Sequence, residues 1–235
     1  MPNKFQNYPF FITCLSIINF KMTTSNQALV VYDESIVPRH FLNLREVSIG
    51  DFSLQIIQDW QSIGIAAVLW DSAIVLGEYL HKNPDLVRNK SIIEVGAGTG
   101  LPGMIACRLD AAEVVLTDRS LALDSLKKNV EVNSLNESII SVRELEWGVN
   151  LKDYDNHYDL IIAADIIYIE ETFEKLLETL RHLSSQKNFI LLTCKIRYQR
   201  DEKFLNLLKE RDFVVTRIGY DKARDIILFK ITNKS

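Results

Sequence analysis

Three glycines at alternate positions are the first feature of this sequence that indicates chemistry. Gly96, Gly98 and Gly100 directly follow the apolar run IIEV, residues 92–95. Glycine lets a backbone turn sharply and approach a ligand, because no Cβ stands in the way. Asp118 closes the next apolar run, at about the separation at which an acid reaches the hydroxyl pair of a ribose. The spacing therefore predicts a nucleoside-binding site.

Two registers of the glycines lead to different nucleosides. Residues 98–103 satisfy the G-x-G-x-x-G pattern of dinucleotide-binding dehydrogenases, but that register starts two residues beyond the strand and contains Pro102. The register that starts at Gly96 follows an acid, Glu94, and suits a nucleoside without a pyrophosphate. That nucleoside is S-adenosylmethionine. A glycine-rich turn that binds no ligand is the remaining alternative.

Seven short apolar runs and four helical patterns are available to position these residues. Strands and amphipathic helices alternate through the first five runs, which predicts a mostly parallel sheet covered on both faces. The expected strands are 92–95, 114–117, 139–142, 159–164, 189–194, 213–218 and 225–231, and the expected helices are 101–109, 121–133, 171–183 and 200–211.

The two ends of this pattern differ from its middle. The last two strands are joined by GYDKAR, residues 219–224, which is too short for a crossover and predicts an antiparallel hairpin. Upstream, residues 51–60 alternate apolar and polar like a strand with one wet face. Residues 66–80 have the pattern of a helix that packs on the main sheet. We therefore expect an α/β domain with a Rossmann-like, seven-stranded sheet and a short β-rich arm before it.

The composition argues against several classes of protein. The 235 residues carry a net charge of −4, and no run of Lys or Arg forms a basic patch, so we expect no nucleic-acid partner. The three cysteines and four histidines have no metal-ligand or redox spacing. Free thiols are typical of a reducing compartment, and we expect a cytoplasmic protein with no metal site.

The first residues are apolar but fit no targeting segment well. Residues 8–20 are shorter than the ~20 apolar residues that a membrane span needs, so we expect no membrane association. Only Lys4 supplies basic charge before them and no small-residue cleavage site follows, which argues against a signal peptide. We expect residues 1–27 to be a disordered extension, or residues 1–21 to lie upstream of a native start at Met22.

Five segments together resemble the seven-β-strand protein lysine methyltransferases, and among them the branch that methylates Hsp70-type chaperones. The similarity runs from about residue 28 to the C-terminus and implies a single class I methyltransferase domain, with an arm at 28–65 and a core at 66–235. KIRYQRD, residues 195–201, also resembles that branch. The five segments are GIAAVLWDSAIVL, EVGAGTGLPG, LTDR, RELEWG and AADIIYIEETFEKLLETL.

The resemblance implies a set of residues that bind S-adenosylmethionine. A tryptophan face offers a flat apolar surface to adenine and attracts a sulfonium cation, and a carboxylate accepts hydrogen bonds from ribose hydroxyls. Each residue also has a structural alternative: core packing for the tryptophans, helix capping for the acid at 118, and orientation of the loop for Glu94. The set consists of Trp70, Glu94, Gly96, Ala97, Gly98, Asp118, Trp147 and Ala164.

The same resemblance places catalysis on Asp165 and Tyr168, an acid and an aromatic three residues apart after the fourth strand. Methyl transfer is an in-line displacement, and alignment of the reactants supplies most of the catalysis. The nucleophile must be a neutral amine, whereas a free lysine has a pKa of about 10.4. We interpret the carboxylate and the tyrosine as the groups that hold and aim the lysine. Capping of the next segment and a rim aromatic are the alternatives.

Other functions share parts of this pattern. A nucleic-acid methyltransferase needs two prolines inside the motif after strand four, where this chain has Ile166 and Ile167. A small-molecule methyltransferase has the same cofactor half, and an NAD-dependent dehydrogenase shares the glycines. A chaperone-binding module without activity is the alternative that is not an enzyme. The preferred interpretation is a monomeric methyltransferase that uses S-adenosylmethionine to modify lysines of Hsp70-type chaperones.

Overall fold

A seven-stranded sheet forms the centre of the structure, a computed structural model that describes Arg39 and residues 42–234. The strand order is β5-β4-β3-β6-β7-β9-β8, and a separate two-stranded sheet contains β1 and β2. The strands are β1 Leu44–Ile49, β2 Phe52–Ile57, β3 Ser91–Val95, β4 Glu113–Asp118, β5 Ile140–Glu144, β6 Leu160–Ala164, β7 Phe189–Cys194, β8 Phe213–Asp221 and β9 Ile226–Asn233.

The order of the strands reverses beside β3. The chain proceeds from β3 to β4 and β5 on one side and then returns to add β6 and β7 on the other, all in parallel. Ligands of open α/β sheets bind at the carboxyl ends of the strands at such a reversal. The final pair is antiparallel, as predicted, but β9 lies between β7 and β8, so that β8 forms the sheet edge.

Helices cover both faces of the sheet. Adjacent residues of β3 point to opposite faces, with Ile92 in one core cluster and Ile93 in the other. Residues of α2, α3 and α4 belong to the first cluster, and residues of α5 and α6 belong to the second. The helices are α1 Trp60–Ile63, α2 Asp71–Lys82, α3 Leu101–Arg108, α4 Ser120–Val132, α5 Phe173–Leu183 and α6 Gln199–Glu210.

The helix predicted at 66–80 begins later than expected. A 3₁₀ turn occupies Gly64–Ala67, and the chain is extended at Val68 and Trp70 before α2 starts at Asp71. The apolar run that continues into this segment hides the boundary in the sequence. Asp71 lies in the first turn, where a carboxylate favours the positive end of the helix dipole.

The arm before the sheet is a β-hairpin that docks through Asn129 of α4 and Asn133, which directly follows that helix. The carboxamide of Asn129 accepts from the backbone N–H of Ile57 and donates to its carbonyl, at 2.7 and 3.2 Å. Asn133 pairs with Gln55 in the same way, at 2.8 and 2.7 Å. The two amides thus replace a neighbouring strand for β2. The predicted extension 1–27 and the first part of the arm lie outside the described residues.

Among the described residues, no single helix is both long enough and apolar enough to span a membrane. The bent pair Trp60–Ala67 and Asp71–Lys82 meets both criteria only when its two helices are taken together.

Candidate functional site

The loop after β3 contains three left-handed glycines. Gly96, Gly98 and Gly100 have φ angles of 66°, 55° and 79°, a region that favours glycine. The N–H of Ala97 donates to the carbonyl of Thr117 at 2.9 Å, which ties the loop to β4. The loop therefore lies at the carboxyl ends of β3 and β4, where the sequence predicted it.

Two of these glycines also make room for neighbouring protein atoms. A Cβ on Gly96 would lie 2.8 Å from Cγ2 of Ile166 and 3.4 Å from Cζ2 of Trp147. A Cβ on Gly98 would lie 2.9 Å from the carbonyl oxygen of Ala66. The glycines thus allow residues that follow β5 and β6, and the turn before α2, to close around the loop.

Asp118 lies at the end of β4 and holds the loop. Its Oδ2 accepts from the N–H of Gly98 and its Oδ1 from the N–H of Arg119, both at 2.8 Å. Burial raises the pKa of this carboxyl, and the two backbone donors oppose that rise. The side chain is partly exposed, and a carboxylate oxygen can accept a second hydrogen bond. Asp118 can therefore hold the loop and a ribose together.

Glu94 lies beneath the loop and is only 1% exposed. Its Oε2 accepts from the N–H of Gly103 in the first turn of α3, at 2.8 Å. Burial raises the pKa of Glu94 to about 8, so the carboxyl is mostly protonated at neutral pH. This geometry fits the alternative in which Glu94 orients the loop and its helix. A contact between Glu94 and a cofactor remains a prediction.

The two tryptophans belong to different elements around the loop. Trp70 immediately precedes α2 and is partly buried, and its indole N–H donates to the carbonyl of Ile65 at 3.1 Å. Trp147 follows β5, is partly buried and packs at the margin of the second core cluster. Ala164 ends β6 at the margin of the first cluster. All three side chains keep some exposed surface.

Asp165 is the next residue along the chain and has an unusual backbone. Its φ is 55°, a left-handed conformation that few residues other than glycine adopt, and that is enriched at functional sites. Its N–H donates to the carbonyl of Thr193 on β7 at 2.8 Å. Tyr168 lies three residues further on and is partly buried. The structure therefore puts the predicted pair at the carboxyl end of β6, beside the glycine loop.

Sequence reasoning missed the partner of Asp165. Nη1 and Nη2 of Arg197 bind Oδ1 and Oδ2 of Asp165 at 3.0 and 2.9 Å, a bidentate ion pair. Arg197 follows β7, the strand that pairs with β6, so the ends of the two strands bring both residues together. The segment KIRYQRD contains Arg197, and its position after β7 was the only sign in the sequence.

These residues fit S-adenosylmethionine. The donor set offers a carboxylate for the ribose, aromatic faces for the adenine and sulfonium, and a glycine turn in which the Cβ positions are filled by protein. Across residues 42–234 no group of three or more His, Cys, Asp or Glu side chains could hold a metal ion. The arrangement therefore suits transfer of a group from a bound nucleoside to an acceptor near Asp165.

Comparison with known protein families and relatives agrees with this description. The family described as "Lysine methyltransferase" matches residues 49–211. The protein N-lysine methyltransferase METTL21A of Mus musculus is 43% identical over 215 residues, which cover 88% of this chain and 97% of that protein. The EEF1A lysine methyltransferase 3 of Mus musculus is 34% identical, over 77% of this chain and 78% of that protein.

Two solved structures share the fold at low sequence identity. The 16S rRNA N2 G1207 methyltransferase of T. Thermophilus, in complex with AdoMet and guanosine, has a TM-score of 0.59 at 18% identity, over 81% of this chain and 50% of that one. The magnesium protoporphyrin IX methyltransferase of Synechocystis PCC 6803, with bound SAH, has a TM-score of 0.55 at 15% identity, over 74% and 86%.

Proposed function

The chain belongs to the lysine methyltransferase family, and we propose that it methylates lysine side chains of Hsp70-type chaperones. As a member of that family it is a protein lysine N-methyltransferase that uses S-adenosylmethionine. The observation that carries the proposal is that the glycine loop, Asp118, Trp147 and the Asp165 segment meet at the carboxyl ends of the parallel strands. Support for a chaperone substrate comes from the resemblance of residues 163–180 and 195–201 to the chaperone-methylating branch.

The cofactor half of the site consists of the residues around the glycine loop. S-adenosylmethionine, when bound, supplies an activated methyl group on a positively charged sulfur. In this proposal Asp118 accepts hydrogen bonds from the ribose hydroxyls, and Trp147 lies beside the adenine. Trp70 and Ala164 close the pocket, and the backbone of Gly96–Gly98 runs along the ligand. The indole of Trp70 is tethered through its N–H, so its ring keeps one orientation.

The acceptor half consists of Asp165 and Tyr168. The Asp165 carboxylate accepts a hydrogen bond from the amine of the incoming lysine, and Tyr168 limits the direction from which the side chain enters. The left-handed backbone of Asp165 fixes the direction of that carboxylate. Positioning of this kind can contribute about 7–11 kcal/mol to the lowering of the barrier.

A panel of protein substrates tests the choice of substrate. The full-length enzyme is incubated with isotope-labelled S-adenosylmethionine and an Hsp70-type chaperone, elongation factor 1A or an unrelated lysine-rich protein. We expect label on the chaperone at one lysine, found by mass spectrometry, and none on the unrelated protein. Label on elongation factor 1A alone would instead make that protein the substrate, the second candidate function, which the similarity to the EEF1A lysine methyltransferase favours.

The role of Asp165 is tested with Asp165→Asn. Asparagine tolerates the left-handed conformation, so this change removes the charge without the backbone strain that alanine would add. We expect methyl transfer to fall at least a hundredfold while the affinity for S-adenosylhomocysteine, measured by calorimetry, stays within about twofold. An equal loss of cofactor affinity would contradict a role in the acceptor half.

Two further features are expected of this enzyme. We expect a cytoplasmic location, from the free thiols, and a monomer in solution. Light scattering coupled to size exclusion should give a mass near 27 kDa for the full chain. A stable dimer would contradict the second expectation.

A further inference from the structure

We propose that Arg197 is a positioning residue that holds the Asp165 carboxylate in a charge-neutral pair, so that the acceptor lysine enters the site as a neutral amine. The inference rests on the proposed role of Asp165 in the acceptor half. It adds a residue that the five motif segments do not contain.

The ion pair is built into the fold from both sides. Asp165 is fixed by its N–H bond to Thr193, and its side chain is only 10% exposed, whereas the Arg197 side chain is 38% exposed. The guanidinium therefore approaches from the solvent side and binds both carboxylate oxygens. A bidentate pair of this type is strong and geometrically specific.

A second acid fixes the backbone of Arg197. Asp201, in the first turn of α6, is 3% exposed, and its Oδ2 accepts from the N–H groups of Arg197 and Tyr198 at 2.8 and 3.0 Å. The buried carboxylate thus fixes the turn between β7 and α6 from which the guanidinium extends. Two successive contacts, from Asp201 to Arg197 and from Arg197 to Asp165, lead from the start of α6 to the acceptor site.

The charges around the pair sum to nearly zero. Asp165 faces Arg197 from the residue after β6 and Asp201 faces it from α6, and Nε of Arg200 lies 3.5 Å from Oδ1 of Asp201. The thiol of Cys194, at the end of β7, also faces the pair. Burial, with Asp165 and Asp201 nearby, raises the pKa of that thiol, so Cys194 is neutral. Arg197 is therefore the cation that offsets Asp165 directly.

This neutralisation matters because the reactive form of lysine carries no proton. A lone carboxylate beside an ammonium raises the pKa of the lysine by about one to three, which reduces an already small neutral fraction. With Arg197 in place the acid no longer stabilises the ammonium in this way. The lysine then gives its proton to water, and its nitrogen lone pair forms the new N–C bond as the C–S bond breaks and leaves S-adenosylhomocysteine.

The pair still leaves room for a hydrogen bond to the substrate. An ionised carboxyl has about four lone-pair sites, and the guanidinium uses one on each oxygen. Each oxygen can therefore accept one N–H from the neutral amine. Arg197 neutralises the Asp165 carboxylate and fixes its orientation, while Asp165 remains the group that contacts the lysine.

The test measures the pH dependence of methyl transfer to an Hsp70-type chaperone by the full-length enzyme. In Arg197→Gln we expect kcat to fall about tenfold or more at pH 7.5 and to recover as pH rises to 9.5, with KM for the chaperone unchanged or lower. Arg197→Lys keeps the charge, and it should restore most of the wild-type profile. Affinity for S-adenosylhomocysteine and the melting temperature should stay close to wild type in both variants.

Arg181→Gln is the matched control. Arg181, in the last turn of α5, forms an arginine–aspartate pair at 2.7 Å with Asp212, which directly precedes β8, and its loss should leave the pH profile unchanged. Equal loss of activity at every pH in Arg197→Gln, or a large loss of cofactor affinity, would overturn the inference and leave the proposed function intact. Absence of transfer to the chaperone by the wild-type enzyme would overturn both.

Discussion

Asp118 shows how one side chain can serve the fold and the ligand at once. Its carboxylate anchors the N–H of Gly98, so the loop conformation depends on the same acid that is proposed to accept the ribose hydroxyls. A hydrogen bond to a charged group is worth about 1.5–3 kcal/mol. A change at this residue therefore acts on the cofactor in two ways.

We predict that Asp118→Ala weakens binding of S-adenosylhomocysteine about ten- to a hundredfold, from the loss of charged hydrogen bonds of about 1.5–3 kcal/mol. Asp118→Asn keeps one acceptor oxygen for Gly98 and should bind with intermediate affinity. Isothermal titration calorimetry measures both. Wild-type affinity in Asp118→Ala would assign this carboxylate to the loop alone.

Glu94 links the loop to pH through protonation. Its pKa in the folded protein is about 8, above the ordinary value of 4.5, because burial disfavours the charged form. The folded state therefore binds a proton that the unfolded state releases. The contribution of this proton to the free energy of unfolding is fully present below pH 4.5 and is lost as pH rises through about 8.

We predict that Glu94→Gln removes this pH dependence. Glutamine can accept the same hydrogen bond from Gly103 without a charge to bury. The free energy of unfolding of the wild type should fall by several kcal/mol relative to the variant between pH 5 and pH 8, since each pKa unit corresponds to about 1.4 kcal/mol. Urea unfolding at a series of pH values measures the difference, and parallel curves for the two proteins would contradict it.

At the scale of elements, the asparagine contacts of α4 join three parts of the molecule. Besides its pair with Ile57, the Asn129 amide donates to the carbonyl of Thr99 in the glycine loop at 3.2 Å. Asn129 is fully buried, so no water replaces these bonds easily. The hairpin, the helix and the cofactor loop are thus coupled through one side chain.

We predict that Asn129→Ala destabilises the protein by at least about 2 kcal/mol, because it leaves buried backbone groups without partners at about 1–3 kcal/mol each. Hydrogen exchange should accelerate in residues 52–57 and remain slow in 91–95. Lys128→Ala, an exposed change on the same helix, is the control and should alter neither. Unchanged exchange in the hairpin would show that β2 docks without this amide.

The elements that sequence analysis predicted best are those whose pattern is local. The seven core strands were identified because each is a short apolar run, and the run at 159–164 became the buried β6. The strand β1 was not predicted, since LREVSI places only Val47 and Ile49 in the core. The early start assigned to α2 has a similar cause, because the apolar run at 66–70 has no internal boundary.

The site was predictable to the same extent and for the same reason. Gly96 and Asp165 each follow a strand directly and Asp118 ends one, so their place at the carboxyl ends of the strands follows from local sequence and the rule for parallel sheets. The pair between Asp165 and Arg197 spans 32 positions and depends on β6 and β7 being neighbours. The roles of the asparagines depend likewise on long-range docking, which no local pattern encodes.

At the scale of the whole molecule, the proposed pocket draws on segments from most of the described chain. The turn before α2, the loop after β3, the end of β4 and the residues that follow β5 and β6 all contribute, and both core clusters extend to its margin. A ligand that bridges these segments binds only when all of them are folded. Its binding energy is then added to the stability of the entire domain.

We predict that S-adenosylhomocysteine at a hundred times its Kd raises the melting temperature by about 5–11 °C. Mass action contributes about 2.7 kcal/mol at that concentration, and a domain of this size gains about 2–4 °C per kcal/mol. NAD should give no shift, because the loop is closed by Ile166 and Trp147 and has Pro102 where a pyrophosphate-binding turn continues. Differential scanning fluorimetry of the full chain measures both. Asp118→Ala should reduce the shift that S-adenosylhomocysteine causes. An equal shift with NAD would support the alternative in which residues 98–103 form a dinucleotide-binding motif.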